Sequence, residues 1–175
     1  MSGGSQPFGA FEAVVRRNEM EQKMRSASVP AGRCWRVLLI ANETCADPSL
    51  CIRVRNQAGH GAEALVVAPV PNLRNRDEAA AARRAAEVRL TRCVATLAEL
   101  GLHPSGEVAD TDPVRALQDA LVTVAADEVI IATYPAERSN WLASDLVETA
   151  QTRLRLPVTH IVVDAPTPAH SGEAR

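Results

Sequence analysis

The chain has 175 residues, of which 46% are hydrophobic, and this length and composition suit one globular domain with a sizeable core. Its formal net charge of −2 argues against a surface for nucleic acid or acidic membranes, because affinity for phosphate depends on clustered positive charge. No apolar run approaches the roughly eighteen residues that a transmembrane helix needs, and the N-terminus has no secretion signal, so we expect a cytoplasmic protein.

The cysteines and histidines are scattered along the chain. No two cysteines form a C-x-x-C pair, and no two histidines stand three or four residues apart. We therefore expect no metal site and no disulfide framework, with the cysteines reduced and used as small core or surface residues. The positions are Cys34, Cys45, Cys51, Cys93, His60, His103, His160 and His170.

Residues 1–32 are predicted to be an N-terminal extension, partly helical or flexible. Phe8, Phe11 and Val15 stand at helical spacing within a charged segment, and they include the only two phenylalanines of the chain. Three alternatives remain open at this point. The segment packs on its own domain, docks on a partner protein or second subunit, or stays disordered.

The first half of the domain alternates between strands and helices. Residues 34–41 are predicted to form a strand that ends in polar residues, and Asp47 and Pro48 then begin a helix by capping its first turn. Residues 64–69 are apolar throughout, which is typical of a strand covered on both faces. A long helix follows over residues 77–100.

The second half repeats this alternation. Its predicted elements are a short edge strand at 106–109, a helix begun by Asp112 and Pro113, a strand at 128–133, a helix at about 140–154 and a strand at 157–163. Strands joined by helices favour parallel pairing with right-handed crossovers. We therefore predict one doubly wound α/β domain over residues 33–164, followed by a flexible tail at 165–175.

Three stretches of this domain resemble the universal stress protein family. They are Val37–Thr44, Asp112–Leu117, and Asp127–Thr133 with Leu156–Val163. The resemblance extends from Arg36 to Asp164 and rests on the order of elements more than on any motif. It implies a five-stranded parallel sheet of order 3-2-1-4-5, with the switch in strand order between strands one and four.

The resemblance also implies where a nucleotide would lie and how this chain differs. Family members that bind ATP carry an aspartate at the end of strand one, where this chain has Asn42. They have a glycine-rich loop after strand four, and this chain has no glycine there. The matching positions are Ala132, Pro135 and Glu137, followed by Ser144 and Asp145. The nucleotide site is therefore predicted to be degenerate, without bound cofactor, because Glu137 and Asp145 would repel phosphate.

A candidate ligand crevice remains between strands one and four. Its residues are Asn42, Thr44, Arg138, Ser139, Asn140 and Ser144. Arg138 could clamp a phosphate or carboxylate at the start of the fourth helix, where the helix dipole favours an anion. In the alternative, Ser139 or Asn140 caps that helix while Arg138 pairs with Glu137 or Asp145.

The sequence offers no catalytic constellation. There is no G-x-S-x-G elbow, and the only lysine, Lys23, is not part of a Walker motif, so we expect no enzyme. The valine-rich edge strand Val158–Val163 is the predicted homodimer surface, with cover by the N-terminal helix or the tail as the alternative. The predicted function is a non-enzymatic regulatory or interaction module. The alternative is a sensor that binds ATP, AMP or another anion between strands one and four.

Overall fold

The computed structural model describes residues 34–70, 72–135 and 146–164. The strands are β1 (Arg36–Ile40), β2 (Glu63–Pro69), β3 (His103–Ala109), β4 (Glu128–Thr133) and β5 (Val158–Val162). The helices of the described residues are α1 (Pro48–Ala58), α2 (Arg76–Glu99), α3 (Pro113–Thr123) and α4 (Leu146–Arg153), with a 3-10 turn at Glu43–Ala46. This alternation confirms the predicted order of elements.

Local capping fixes where the helices begin and end. The Asp47 side chain accepts a hydrogen bond from the Ser49 amide at 2.8 Å, and Asp112 accepts from the amide of Arg115 at 3.0 Å. Each carboxylate satisfies an amide that has no partner within its helix. Gly101 follows the end of α2 with a φ of 86°, a left-handed conformation that favours glycine.

The five strands form one parallel sheet in the order β3-β2-β1-β4-β5. The predicted order 3-2-1-4-5 is confirmed. Strand β1 lies at the centre, with Val37 opposite Ala64 of β2 on one side and Glu128 of β4 on the other. After β1, the chain adds β2 and then β3 on one side of β1, and it then adds β4 and β5 on the other side. The switch in strand order therefore lies between β1 and β4.

Helices cover both faces of the sheet. On one face, α1 and α2 contribute Leu50 and Leu97 to one core cluster. On the other face, α3 and α4 contribute Leu117 and Leu146 to a second cluster. Every residue of β4 is buried, including Glu128. A near-continuous apolar strand is therefore explained by burial on two faces.

Strand β3 differs from the prediction in length. It begins at His103, because it pairs with β2 along the whole span from Glu63 to Pro69. Gly106 lies in this strand under α2, where a Cβ atom would come within 2.8 Å of Leu90 and 2.9 Å of Val94. The missing side chain thus permits close packing of helix on sheet.

Several predictions lie outside the described residues. These are the N-terminal helical extension with Phe8, Phe11 and Val15, the C-terminal tail and the start of the fourth helix. Within the described part of the chain, no helix has both the length and the apolar character that crossing a bilayer requires.

Candidate ligand crevice

Asn42 follows β1 at the carboxyl edge of the sheet and uses both ends of its amide. Its Nδ2 atom donates to the Pro69 carbonyl at 2.6 Å, at the end of β2. Its Oδ1 atom accepts from Arg89 Nη2 at 2.7 Å, on α2. The side chain that was predicted to meet a ligand therefore joins β1, β2 and α2 to one another.

The 3-10 turn after Asn42 is tied to the end of β4. Thr44 is buried, and its Oγ1 atom donates to the Ala132 carbonyl at 3.5 Å, a long hydrogen bond. The Tyr134 hydroxyl donates to the Glu43 carbonyl at 3.1 Å. Two side chains of the protein thus cross the gap between β1 and β4, at the predicted ligand crevice.

Arg89 brings a positive charge to this crevice. Its Nε atom is buried and has no hydrogen-bond partner, and none of the ion pairs found among the described residues includes it. The pKa of the nearby Tyr134 phenol is raised, chiefly by burial and then by the carboxylates of Glu43 and Asp47, with Arg89 acting in the opposite direction. The guanidinium is therefore held mainly through Asn42.

The structure brings Asn42 and Thr44 to the same edge of the sheet, as predicted. The other four predicted residues, Arg138, Ser139, Asn140 and Ser144, lie outside the described residues, as do Glu137 and Asp145. Sequence reasoning missed Arg89 and Tyr134. A signal existed for each: Arg89 lies between Ala86 and Leu90 and hence beside the buried stripe of α2, and Tyr134, the only tyrosine, follows directly after β4.

Three thiols belong to the same core cluster, and one of them, Cys45, lies within the 3-10 turn. The Sγ atoms of Cys51 and Cys93 are 3.6 Å apart, and Cys51 Sγ lies 3.8 Å from the Cys93 carbonyl oxygen. All three side chains are buried, which agrees with the predicted role as small core residues. The pKa of Cys51 is raised above its ordinary value by its hydrogen bond to Cys93 and by burial, which disfavours the thiolate form. No set of three His, Cys, Asp or Glu side chains in the described ranges is arranged to hold a metal ion.

At the opposite end of the sheet, Glu128 is a fully buried carboxylate. Its Oε1 atom accepts from Gln57 Nε2 and from Thr159 Oγ1, both at 2.7 Å, and its Oε2 atom accepts from Trp35 Nε1 at 3.4 Å. The donors come from α1, β5 and the segment before β1. These hydrogen bonds offset part of the free-energy cost of burying the carboxylate. They also connect β4 to α1, to β5 and to the segment before β1.

Strand β5 forms one edge of the sheet. The Val129 amide bonds to the Pro157 carbonyl, and the Val163 amide bonds to the Thr133 carbonyl, so odd-numbered residues of this segment face β4. By alternation, the backbone groups of Val158, His160 and Val162 point away from the sheet. Of these groups, the Val162 carbonyl accepts a hydrogen bond from Arg53 Nη1 at 2.6 Å.

His160 lies on this edge strand and is held by its neighbour on β4. Its Nε2 atom is 2.7 Å from Thr133 Oγ1, within hydrogen-bond distance. Burial lowers the pKa of the imidazole below its ordinary value. The neutral ring is therefore the form that fits the folded protein.

Comparison with known proteins finds likeness at the level of structure. No protein-family model matches the sequence, and no curated protein matches it. A universal stress protein from Archaeoglobus fulgidus is similar over 73% of this chain and 93% of its own, with a TM-score of 0.51 and 16% identity. A protein of the universal stress protein family from Burkholderia pseudomallei is similar over 77% of this chain and 100% of its own, with a TM-score of 0.53 and 16% identity.

A structure of a universal stress protein from Archaeoglobus fulgidus in complex with dAMP is similar over 74% of this chain and 98% of its own, with 15% identity and a TM-score of 0.48. Structural similarity at this level does not support assigning that ligand to this chain. The strand order, the helices on both faces and the coverage of whole neighbouring chains agree with one another. The described part of the chain therefore has the universal stress protein fold.

Proposed function

We propose that the chain is a non-enzymatic regulatory or interaction module of universal-stress-protein-like fold, acting in the cytoplasm as a homodimer with a degenerate nucleotide site. The observation that carries the proposal is the set of hydrogen bonds across the candidate crevice. Asn42 is bonded at both ends of its amide, and Tyr134 bonds across to the Glu43 carbonyl. A ligand at this place would have to displace bonds that the protein already makes.

The charges around the crevice support the same proposal. Asn42 is neutral where the ATP-binding members of the resembled family carry an aspartate. The Tyr134 phenol, whose ordinary pKa of 10.0 is raised further by burial, is protonated at neutral pH and does not suit a general base. These features favour a binding surface elsewhere on the molecule over chemistry at this edge of the sheet.

The edge strand β5 is the proposed dimer surface. Its outward backbone groups at Val158 and His160 could pair with the same strand of a second copy about a twofold axis. The opposite edge of the sheet is less suited to pairing. Pro104 occupies an outward position of β3 and has no amide hydrogen to donate.

Isothermal titration calorimetry tests the degenerate site. We expect no measurable heat of binding when ATP, AMP or cyclic AMP is titrated into the protein at tens of micromolar. Micromolar binding that Arg138→Ala abolishes would contradict the proposal and support a nucleotide sensor.

Light scattering tests the dimer, with two matched proline variants. Val162→Pro removes an outward amide of β5, and Val108→Pro removes one of β3, so both carry a similar local backbone cost. We expect a dimer for the natural protein and for Val108→Pro, and a folded monomer for Val162→Pro by circular dichroism. A monomeric natural protein at micromolar concentration would refute the dimer.

The alternative function is a sensor for a small anion at the crevice between β1 and β4, and Arg89 favours it. This guanidinium has a buried Nε atom without a hydrogen-bond partner, so an anion that reached it would gain a charge-assisted bond. Arg89→Met removes the charge and keeps the apolar stem, and Arg92→Met is the matched control on an exposed turn of α2. Anion binding lost in Arg89→Met and kept in Arg92→Met would favour the sensor.

A further inference from the structure

Two buried thiols face each other between α1 and α2. Cys51 lies on α1 and Cys93 on α2, and their Sγ atoms are 3.6 Å apart. Cys51 Sγ also lies 3.8 Å from the Cys93 carbonyl oxygen, so the side chain of one residue reaches the backbone of the other. A disulfide has an S–S length of about 2.05 Å, and the two sulfurs therefore need to approach by about 1.5 Å. A movement of this size is comparable to the helix shifts of about 1–2 Å that folded proteins undergo.

The thiol pair lies next to the candidate crevice. Cys93 is four residues after Arg89, about one turn further along α2, and Arg89 Nη2 donates to Asn42 at 2.7 Å. Cys51 lies on the helix that directly follows the 3-10 turn, and this turn carries the buried Thr44. A covalent bond between Cys51 and Cys93 would therefore fix α2 on α1 one turn away from the Arg89 side chain.

Burial of the pair limits which oxidants can reach it. Cys51 and Cys93 are each 1% exposed, so a bulky oxidant such as glutathione disulfide does not reach either sulfur in the folded protein. Hydrogen peroxide is uncharged and close to water in size, which suits a buried site. The hydrogen bond to Cys93 and burial raise the pKa of Cys51. Because the thiolate is the nucleophile, oxidation should be slow at neutral pH and faster as pH rises.

We propose that hydrogen peroxide oxidises Cys51 and Cys93 to a disulfide that fixes α2 on α1 beside the candidate crevice. The sulfur of one deprotonated thiol attacks a peroxide oxygen, and the O–O bond breaks. A sulfenic acid forms, and the hydroxide that leaves takes up the proton of that thiol as water. The second sulfur then attacks the first, the S–O bond breaks and the S–S bond forms. The hydroxide released takes up the second thiol proton, so two thiols are oxidised and one peroxide is reduced to two water molecules.

The bond suits a reversible switch. Disulfides of cytosolic proteins, where they occur, are usually transient and redox-sensing, because thiol reductants return them to thiols. Cys51 and Cys93 are 42 residues apart, so their bond closes a long loop and restricts the unfolded chain. Oxidation should therefore stabilise the folded state and hold α2 in place. This inference does not depend on the proposed dimer or on a ligand in the crevice, since the bond needs neither.

Mass spectrometry of the full chain after treatment with millimolar hydrogen peroxide tests the pairing directly. The background is Cys34→Ser, which removes the exposed thiol and with it cross-links between copies. Digestion after arginine and before Asp47 separates Cys45 from Cys51, so the cross-linked peptides identify the pair. We expect Cys51 linked to Cys93, and we expect a thiol reductant to remove the link. A cross-link that includes Cys45, or no cross-link at all, would overturn the proposal.

Thermal unfolding provides an independent measure, in which each protein is compared with its own reduced form. Oxidation should raise the thermal midpoint of the Cys34→Ser background by about 5–10 °C. In that background, Cys51→Ala removes one partner of the bond, and Cys45→Ala is the matched control because it removes a buried thiol of the same cluster. The rise should persist in Cys45→Ala and vanish in Cys51→Ala. No rise in the background, or the same rise in Cys51→Ala, would overturn the proposal.

Discussion

The pair formed by Asn42 and Arg89 offers the sharpest test of how the crevice is held. Replacing Asn42 by alanine removes a neutral hydrogen bond to the Pro69 carbonyl and a charge-assisted bond from Arg89. The net worth of such bonds is about 0.5–1.5 and about 1.5–3 kcal/mol. Asn42 is half-buried, so water replaces part of what is lost, and we expect Asn42→Ala to lower the free energy of unfolding by about 2–3 kcal/mol.

This loss should be measurable as a fall in the thermal midpoint of about 5–10 °C, given a shift of about 2–4 °C per kcal/mol for a domain of this size. A double-mutant cycle with Arg89→Met separates the two bonds. If Arg89 is held through Asn42, the coupling free energy should be at least about 1 kcal/mol, whereas independent sites are additive within about 0.5 kcal/mol. Denaturant unfolding of the four proteins measures it. A coupling below that limit would refute the view that Asn42 holds the guanidinium.

Three further predictions concern the rest of the fold. Glu128→Ala should lower the free energy of unfolding by roughly 3 kcal/mol in urea titrations, because it leaves partly buried donors without their acceptor; a loss below about 1 kcal/mol would contradict this. Burial lowers the folded-state pKa of His160. The stabilisation that the neutral imidazole contributes is therefore complete above the unfolded-state pKa of about 6.5, and it is lost as pH falls from there toward the folded-state pKa. His160→Gln should therefore lose less stability than the natural protein between pH 7.5 and 5.5, and an equal or greater loss would refute the assignment. Gly106→Ala should cost about 1–3 kcal/mol in thermal unfolding because its Cβ would overlap Leu90 and Val94, and the exposed Ser105→Ala is the control that should cost less than about 0.5 kcal/mol.

Local signals explain why most of the fold could be predicted from the sequence. The pairs Asp47–Pro48 and Asp112–Pro113 specify helix starts through contacts within three residues. The apolar run of β4 indicates burial on two faces without any knowledge of its neighbours. The strand order needed more than local signals, and it came from the resemblance to a family.

The candidate site could be predicted only in part, because its bonds join distant parts of the chain. Asn42 and Arg89 are 47 residues apart, and Thr44 and Ala132 are 88 apart. Sequence placed Asn42 and Thr44 at the end of a strand, but the local signals at Arg89 and Tyr134 did not show that these side chains bond to Asn42 and to the Glu43 carbonyl. Glu128 is a second example. The sequence shows a carboxylate in an apolar strand, but it does not show that the hydrogen-bond partners Gln57 and Thr159 lie 71 and 31 residues away.

The relative cost of binding at the two candidate places favours association over ligand binding. A ligand between β1 and β4 must displace the bonds of Asn42 and Tyr134, a cost of about 2–4 kcal/mol, which weakens affinity roughly 30- to 700-fold. A second strand that pairs with the edge of β5 would displace the exposed hydrogen bond from Arg53 to the Val162 carbonyl, at a cost of about 1 kcal/mol. Among the described residues, the other outward backbone groups of β5 have no hydrogen-bond partner that pairing would displace. A nucleotide with micromolar intrinsic affinity would thus bind in the range of tens to hundreds of micromolar, while the same sheet could still pair through its edge.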